Sequence, residues 1–271
     1  MSFLLPLLLL LPLLLLPSPA VAPDVVNGWS HDNWRDSIPQ VNESAFHTNV
    51  WGTIMKFTTL AIHTAVGYDG TIFVIGAHTA IDRNDASFGA IWGTKRQAIN
   101  KVFVEPVPIF YEYLRNNTRK IKGRVTVNAA VSESGENVTI YCTGMNPDGT
   151  LVKNVGFNSY TTQACSLSID HLYKNQFNTK ELIDKYLIKY NVRGITVRDL
   201  IRRYTTKLPL RYIQIDVEGF DDVVVRNLPL DEYTPSIIVF EYVHLSQSKF
   251  ERTLEFLHDK GYCTTIYNQN W

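Results

Sequence analysis

The sequence predicts an α/β fold in which a mostly parallel sheet carries helices on both of its faces. Two observations lead to this expectation. Short apolar segments with β-branched residues alternate along the chain with segments of helical periodicity, which is typical of parallel sheets. Polar residues follow directly after three of the apolar segments, and parallel-sheet proteins bind ligands at that edge. The 271 residues are enough for one large domain of this class.

The elements follow in a regular order. Apolar residues recur at helical spacing between Val50 and Val66, and the Asp69-Gly70 turn ends that helix. A long segment, 144–168, is rich in Gly, Asn, Thr and Ser and predicts a surface loop of the kind that often covers a site. The other predicted strands are 71–77, 101–106, 123–132, 137–143 (a possible hairpin partner), 212–215, 235–243 and 262–269, and the other predicted helices are 108–117, 179–191 (with a Thr cap), 196–206, 221–227 and 248–261.

The N-terminus differs from the rest of the chain. Residues 1–22 form a Leu-rich apolar segment that ends in Pro-Ser-Pro and Ala20-Val21-Ala22, which predicts a secretory signal peptide cleaved after Ala22. The alternative is an uncleaved membrane anchor, although the apolar core is shorter than the roughly 20 residues of a span. Residues 23–48 are polar and poorly periodic and predict an N-terminal arm, which leaves 49–271 for the domain.

Other features agree with passage through the secretory pathway. Three Asn-x-Ser/Thr sequons predict a glycoprotein, and one pair of the three cysteines could form a disulfide in an oxidising lumen. Buried free cysteines are the alternative, and the cysteine spacing fits no zinc pattern. The sequons begin at Asn42, Asn116 and Asn137, and the cysteines are Cys142, Cys165 and Cys263.

The charge balance bears on the partner. Lys plus Arg and Asp plus Glu both number 26, so the formal net charge is zero. Bulk electrostatics therefore give no support for nucleic-acid binding. A small molecule or a glycan is the expected partner, and a membrane is expected only if the leader stays uncleaved.

Three strand ends carry the residues that suggest chemistry. Gly76 and Ala77 follow the first strand of the domain, where a tight turn lets backbone N–H groups approach a ligand. Glu105 ends the second strand, where a carboxylate can accept from both hydroxyls of a ribose. Asp216 and Glu218 end a third. Glu105 could instead favour the N-terminus of the next helix, and Asp216 could cap a helix that starts near Gly219. Asp221 and Asp222 are assigned to capping and solvent.

This order of motifs resembles the FkbM-type methyltransferases, a branch of the class I S-adenosylmethionine-dependent enzymes. The resemblance implies a doubly wound Rossmann-like sheet, S-adenosylmethionine as methyl donor, and transfer to an oxygen. The motifs are "IGAH…ND" (75–85), "VFVEPVPIFYEYLRNN" (102–117), "VNAAVSESGENVTIY" (127–141), "TVRDLI" (196–201), "YIQIDVEGFDDVVVRNL" (212–228) and "IIVFEYVHL" (237–245).

Carried onto this chain, the resemblance implies a role for each motif residue. Glu105 would hold the ribose, and Asp216 would lie beside cofactor and acceptor with Glu218 supporting it and Glu241 lining the acceptor side. The expected bases are Asp216 and Glu241, then His244, and direct base catalysis is preferred to a metal bridging Asp216 and Glu218, so no metal ligand is assigned. The cofactor loop would consist of Gly76, Ala77 and His78.

The chain departs from the family pattern at three places. Val74 stands where the family usually has an acid, and Ala80 replaces the third glycine of the loop. The chain also ends at Trp271, directly after the expected sixth strand, so either a smaller sheet without the last strand or a fragment is expected. Together with the predicted leader, the resemblance implies an O-methyltransferase acting on a hydroxyl of a glycan or small metabolite in the secretory pathway. The alternative is an inactive binding module on the same fold. A nicotinamide-dependent oxidoreductase would need a fuller glycine motif than "GAHTAI".

Overall fold

A computed structural model describes residues 7–12, 40–41, 70–80, 99–146, 148, 150, 152, 165–174, 179–205 and 208–267. The predicted helix between Val50 and Val66 and most of the predicted loop 144–168 lie outside the described residues. Near the end of this predicted loop, Cys165–Ser166 form a short strand.

A large sheet with five contiguous parallel strands forms the centre of the domain. These strands lie in the order β12-β11-β3-β4-β5, and every neighbouring pair among them is parallel. The arrangement confirms the predicted mostly parallel α/β sheet. The strands of the large sheet are β1 (Leu7–Pro12), β2 (Gln40–Val41), β3 (Thr71–Ile75), β4 (Asn100–Val104), β5 (Arg124–Val127), β11 (Leu210–Ile215), β12 (Ile237–Glu241) and β13 (Tyr262–Tyr267).

Beyond β12 the sheet continues with strands from both ends of the chain. β1 lies between β12 and β13 and is antiparallel to both, and β2 pairs with the far side of β13. β1 is therefore an additional antiparallel strand in a sheet that we expected either to be smaller by its last strand or to belong to a fragment. β1 falls within the predicted leader, whose cleavage stays a prediction.

Helices cover both faces of the sheet. Phe73 and Ile75 point to one face and pack in a core cluster with residues of α4, α5 and α6, whereas Val74 points to the other and packs with Leu114 of α1. None of the helices in the described ranges has the length and apolar character of a membrane span. The helices are α1 (Pro108–Asn117), α2 (Ile169–Lys174), α3 (Lys180–Lys185), α4 (Val197–Tyr204), α5 (Asp221–Arg226) and α6 (Gln247–Asp259).

A smaller antiparallel sheet, in the order β8-β7-β9, lies beside the main one, and β6 pairs with β10. Its strands β7 and β8 are joined by a disulfide between Cys142 and Cys165, and Cys263 is a free thiol. The strand 137–143 therefore pairs with β8 and β9 and is not a hairpin partner of the strand before it. The ranges are β6 (Ala130–Val131), β7 (Val138–Cys142), β8 (Cys165–Ser166), β9 (Ile188–Val192) and β10 (Gly194–Ile195).

The predicted helix 179–191 is correct only in its first half. Thr179 caps α3 as expected, because its Oγ1 accepts a hydrogen bond from the Leu182 N–H at 3.2 Å. The helix ends at Lys185, and the second half forms β9. Ile188 and Tyr190 are less exposed than Lys189 and Asn191 between them. This alternation has the two-residue period of a strand. In so short an apolar segment, the sequence pattern alone does not distinguish a strand from a helix.

Candidate functional site

The ends of three adjacent strands meet as the sequence predicts. Gly76, Glu105 and Asp216 follow β3, β4 and β11, which are neighbours in the sheet. The Asp216 N–H donates to the Ile75 carbonyl at 3.0 Å, and the Gly76 N–H donates to the Val104 carbonyl at 3.0 Å. A Cβ on Gly76 would lie 1.7 Å from the Asp216 carbonyl oxygen. Only glycine therefore fits at this point of contact between two backbones.

The segment after β3 forms a compact loop. Gly76, His78 and Ala80 all have left-handed backbone conformations, with φ of 82°, 44° and 58°. Ala77 is buried, and its N–H donates to the Val104 carbonyl at 2.9 Å. The His78 ring packs against Phe110 of α1 at a centroid distance of 4.2 Å. Two residues with side chains thus take a conformation that glycine adopts more easily.

Glu105 connects this loop to the helix that follows β4. Its side chain is only 4% exposed. One carboxylate oxygen accepts from the His78 N–H at 2.9 Å, and the other accepts from the N–H of Val107, the N-cap of α1, at 2.8 Å. Burial raises the pKa of Glu105 to about 7, against the opposing effect of the two N–H bonds. The structure gives Glu105 a structural role at the helix start, and its ribose contact stays a prediction.

Val74 takes part in the core and packs against the buried apolar residues of the loop. It is 2% exposed and belongs to an apolar cluster with Ala77, Ala80, Phe103 and Leu114. The position where the resemblance leads us to expect an acid is therefore enclosed by hydrocarbon.

The turn after β11 is held by a buried acid. The carboxylate of Asp221 accepts from the N–H groups of Val217 and Gly219 at 3.4 and 3.3 Å. Burial is the main cause that raises the pKa of Asp221 to about 8. Helix α5 has Phe220 as its N-cap, so the expectation that Asp216 caps this helix is wrong.

The assignment of Asp221 and Asp222 to solvent is also wrong, because their side chains are 0% and 1% exposed. Asp222 accepts hydrogen bonds from Arg226 and from Lys249 of α6, each at 3.1 Å. Two adjacent acids at a helix start are commonly solvated, and only the packing of α6 over α5 buries this pair.

Two histidines and a glutamate from three segments form what we call the His–Glu–His cluster: His171, Glu218 and His244. The Nε2 atoms of His171 and His244 each lie 3.6 Å from the same oxygen of Glu218. The two rings meet edge to face with centroids 4.4 Å apart. Burial works to raise the pKa of Glu218, but the His171 hydrogen bond and the nearby histidine charges bring it below its usual value. Burial lowers the pKa of His244.

Glu241 adjoins this cluster at the end of β12. It is 3% exposed, and neither carboxylate oxygen has a hydrogen-bond partner among the described residues. One of its oxygens lies 3.7 Å from His244 Nε2. Burial, together with the charges of Asp216, Glu218 and Asp221, raises the pKa of Glu241 well above its ordinary value. The predicted catalytic residues Asp216 and Glu218 thus lie close enough to Glu241 for their charges to raise its pKa.

The comparison with known families agrees with this geometry. A model of the methyltransferase FkbM domain matches residues 75–263. The chain belongs to the FkbM methyltransferase family. No curated protein and no solved structure matches it significantly. All predicted site residues and the His–Glu–His cluster lie within the matched FkbM domain, whereas β1 and β2 lie outside it.

One residue of the FkbM domain's site was missed by the sequence analysis. His171 lies on α2, a six-residue helix that was not predicted. It reaches the cluster because Gly219 leaves room for it: a Cβ on Gly219 would lie 2.7 Å from His171 Nδ1. Nothing in the sequence near His171 relates it to Glu218, so no local signal could have found it.

A groove of about 640 Å³ has two lining residues that adjoin the turn of Glu218 or its hydrogen-bond partner in the chain. Among its lining residues, Phe220 directly follows Gly219, and Leu167 directly follows Ser166, whose Oγ donates to the Glu218 carbonyl at 2.9 Å. The remaining lining residues are Ser132, Glu133, Ser134, Val138, Thr139 and Tyr141. The groove offers hydroxyl groups, an acid and aromatic rings, which are groups that bind polyhydroxylated ligands.

Proposed function

We propose that this protein is an S-adenosylmethionine-dependent O-methyltransferase that acts on a hydroxyl group of a glycan or small metabolite in the secretory pathway. The observation that supports it best is the contact of three adjacent strand ends, with Gly76 against Asp216 and Glu105 tied to the loop between them. In open parallel sheets this edge is where nucleotide-like cofactors bind.

The residues at this edge fit such a donor. Each Glu105 oxygen accepts one backbone N–H and keeps a second lone pair, so the carboxylate can still meet a ribose diol. The acids Asp216, Glu218 and Glu241 would favour a cationic group beside them. When bound, S-adenosylmethionine supplies a methyl group on a positive sulfur, and the carbon–sulfur electron pair returns to sulfur as the acceptor oxygen bonds to the methyl carbon.

Asp216 is the proposed proton acceptor. Unlike Glu241, its side chain is partly exposed at the end of β11, where an acceptor can approach it. A hydroxyl is a weak nucleophile at neutral pH, so its attack is assisted when a carboxylate within hydrogen-bond distance takes its proton. The rest of the catalysis would come from holding the acceptor oxygen in line with the methyl group.

The proposed compartment has support from the described residues. The disulfide Cys142–Cys165 is of a kind that persists in oxidising compartments and is rare in the cytosol. Asn116 and Asn137, two of the predicted glycosylation sites, are exposed. Together with the apolar segment 1–22, these features favour a lumenal or secreted protein.

A second candidate function rests on Val74. Because this position is enclosed in the apolar core, it offers no acceptor for the donor's ammonium group. A catalytically inactive binding module, with the groove as its ligand site, is therefore the alternative.

Calorimetry with S-adenosylmethionine separates these two candidates. The enzyme should bind the donor in a saturable 1:1 complex, and an absence of heat at millimolar donor with folded protein would favour the binding module.

Turnover provides the second test. With labelled donor and a panel of glycans and small alcohols, Asp216→Asn should lower the transfer rate by about 100-fold or more. The matched control is Asp231→Asn, because the Asp231 side chain is 82% exposed and pairs with Lys260 at the surface. Wild-type rates in Asp216→Asn would remove this residue from the mechanism.

A further inference from the structure

We propose that the His–Glu–His cluster is a binding site for a divalent transition-metal ion, with Zn²⁺ as the best match and Glu241 as an adjoining carboxylate. The existence of the site is independent of the proposed methyl transfer, and only the role of the ion in activating an acceptor rests on it.

The distances suit a single ion. One donor atom from each of His171, Glu218 and His244 lies within 4.8 Å of the other two. Both imidazole Nε2 atoms are 3.6 Å from the shared Glu218 oxygen. Donor atoms bound at about 2.0–2.2 Å around one tetrahedral Zn²⁺ lie roughly 3.3–3.6 Å apart. The three groups therefore need only small movements to bind a common ion.

Glu241 provides a second observation that points to a bound cation, independent of the distances within the cluster. A buried carboxylate normally has hydrogen-bond donors around it, since an unpaired one is costly. Both oxygens of Glu241 are buried without a hydrogen-bond partner among the described residues, and one is 3.7 Å from His244 Nε2. A cation held by the adjacent cluster would compensate the unpaired negative charge of this buried acid.

The protein also holds the cluster in place. Glu218 has a left-handed backbone with φ of 53°, a conformation that is costly for a side-chain residue and that concentrates at functional sites. The Ser166 hydroxyl bonds its carbonyl at 2.9 Å, and the absence of a side chain on Gly219 admits the His171 ring. The turn is therefore built to present the Glu218 carboxylate to both histidines.

The type of ligand indicates the type of metal. Imidazole suits Zn²⁺, Fe²⁺ and other first-row transition ions, whereas Mg²⁺ and Ca²⁺ prefer sites made of oxygen atoms alone. Two histidines and one carboxylate also bind zinc in hydrolytic enzymes and leave a coordination position open. In this protein such an open position could take an acceptor hydroxyl. An acceptor hydroxyl bound there would lose its proton more easily, and Asp216 could take it.

The test is metal binding by the tag-free full chain, without donor or acceptor. After dialysis against a chelator, calorimetry with ZnCl₂ should give one site per chain. His171→Gln and His244→Gln should each weaken Zn²⁺ binding by about 100-fold or more, because loss of even an outer-shell partner costs 10–100-fold. His258→Gln, on α6 and outside the cluster, is the matched control and should bind Zn²⁺ as the wild type does. Circular dichroism of each metal-free variant establishes that it is folded.

Unchanged Zn²⁺ binding in both cluster variants, no binding in the folded wild type, or tighter binding of Mg²⁺ than of Zn²⁺ would each overturn the assignment. The outcome of this metal-binding test can be distinguished from the outcome of the test of the proposed function. Zn²⁺ binding without any binding of S-adenosylmethionine would keep the metal site and reject the methyltransferase, and the reverse result would reject the metal site alone.

Discussion

Glu105 illustrates how one side chain can combine a structural and a functional role. The sequence offered two explanations for it, a ribose contact and an acid at a helix start, and the hydrogen bonds to His78 and Val107 favour the second without using all of its lone pairs. An acid that both shapes the loop and contacts the ligand would have its position fixed before the ligand arrives. Its burial should then be visible in the stability of the protein.

Glu105→Gln should change how stability depends on pH. The pKa of Glu105 is raised from 4.5 to about 7, so the folded state binds this proton more tightly than the unfolded state. The resulting stabilisation is complete below pH 4.5 and is lost as the pH rises through 7. The wild type should therefore lose up to about 3 kcal/mol relative to Glu105→Gln between pH 5 and pH 8. Urea denaturation of both proteins at several pH values measures this loss. The pH-dependent contributions of Asp221 and Glu241 cancel in the comparison, because both proteins contain these residues. A wild-type stability that stays constant or increases relative to that of Glu105→Gln as the pH rises would contradict the buried state of Glu105.

At the scale of elements, the geometry of the proposed cofactor site depends more on the ends of the strands than on the strands themselves. β3 and β11 are joined at their ends by the Asp216–Ile75 hydrogen bond and by the close approach of Gly76 to the Asp216 carbonyl. This contact sets the spacing between the two strand ends and hence the geometry of the proposed cofactor site.

Gly76→Ala should disrupt this junction, and Gly261→Ala is its matched control. Both glycines have φ of 82°, so alanine costs each a similar backbone strain of about 1–2 kcal/mol. Of the two, only Gly76 would bring the new Cβ into backbone, at 1.7 Å from the Asp216 carbonyl oxygen, whereas at Gly261 the described part of the chain places no atom within 4 Å of it. Thermal and urea denaturation should show Gly76→Ala to be the less stable variant by at least about 2 kcal/mol. Equal losses in the two variants would show that the strand ends are not in contact.

The sequence predicts long-range features well where they follow from chain order, and poorly where they depend on tertiary packing. The parallel strands and the alignment of Gly76, Glu105 and Asp216 follow from the alternation of elements, because parallel strands end at one edge. The sequence predicts a helix over all but the last residue of the strand Ile188–Val192, since the strand's partner, β7, lies far away in the chain. His171 was missed for the same reason: only the folded chain brings it to Glu218.

At the scale of the whole molecule, the two ends of the chain meet in the sheet. β1, from the predicted leader, pairs with β12 on one side and with β13 on the other. Removal of residues 1–22 would leave facing edges of β12 and β13 without this strand, and open edges promote association with other chains. Export with cleavage would therefore remove a segment that forms a central pairing in the described sheet.

The N-terminal residue of the mature protein shows whether this segment is cleaved or kept in the sheet. β1 consists of leucine and a final proline, a composition that suits the apolar core of a signal peptide better than a strand, where β-branched residues are favoured. We therefore expect the protein purified from the lumen or medium of a secreting eukaryotic cell to begin at Pro23 by N-terminal sequencing. Glycosidase treatment should lower its mass, and Asn137→Gln should remove one glycan, because Asn137 is exposed before β7. An exported chain with an intact N-terminus would contradict cleavage of the leader and would instead keep β1 between β12 and β13 as part of the mature protein.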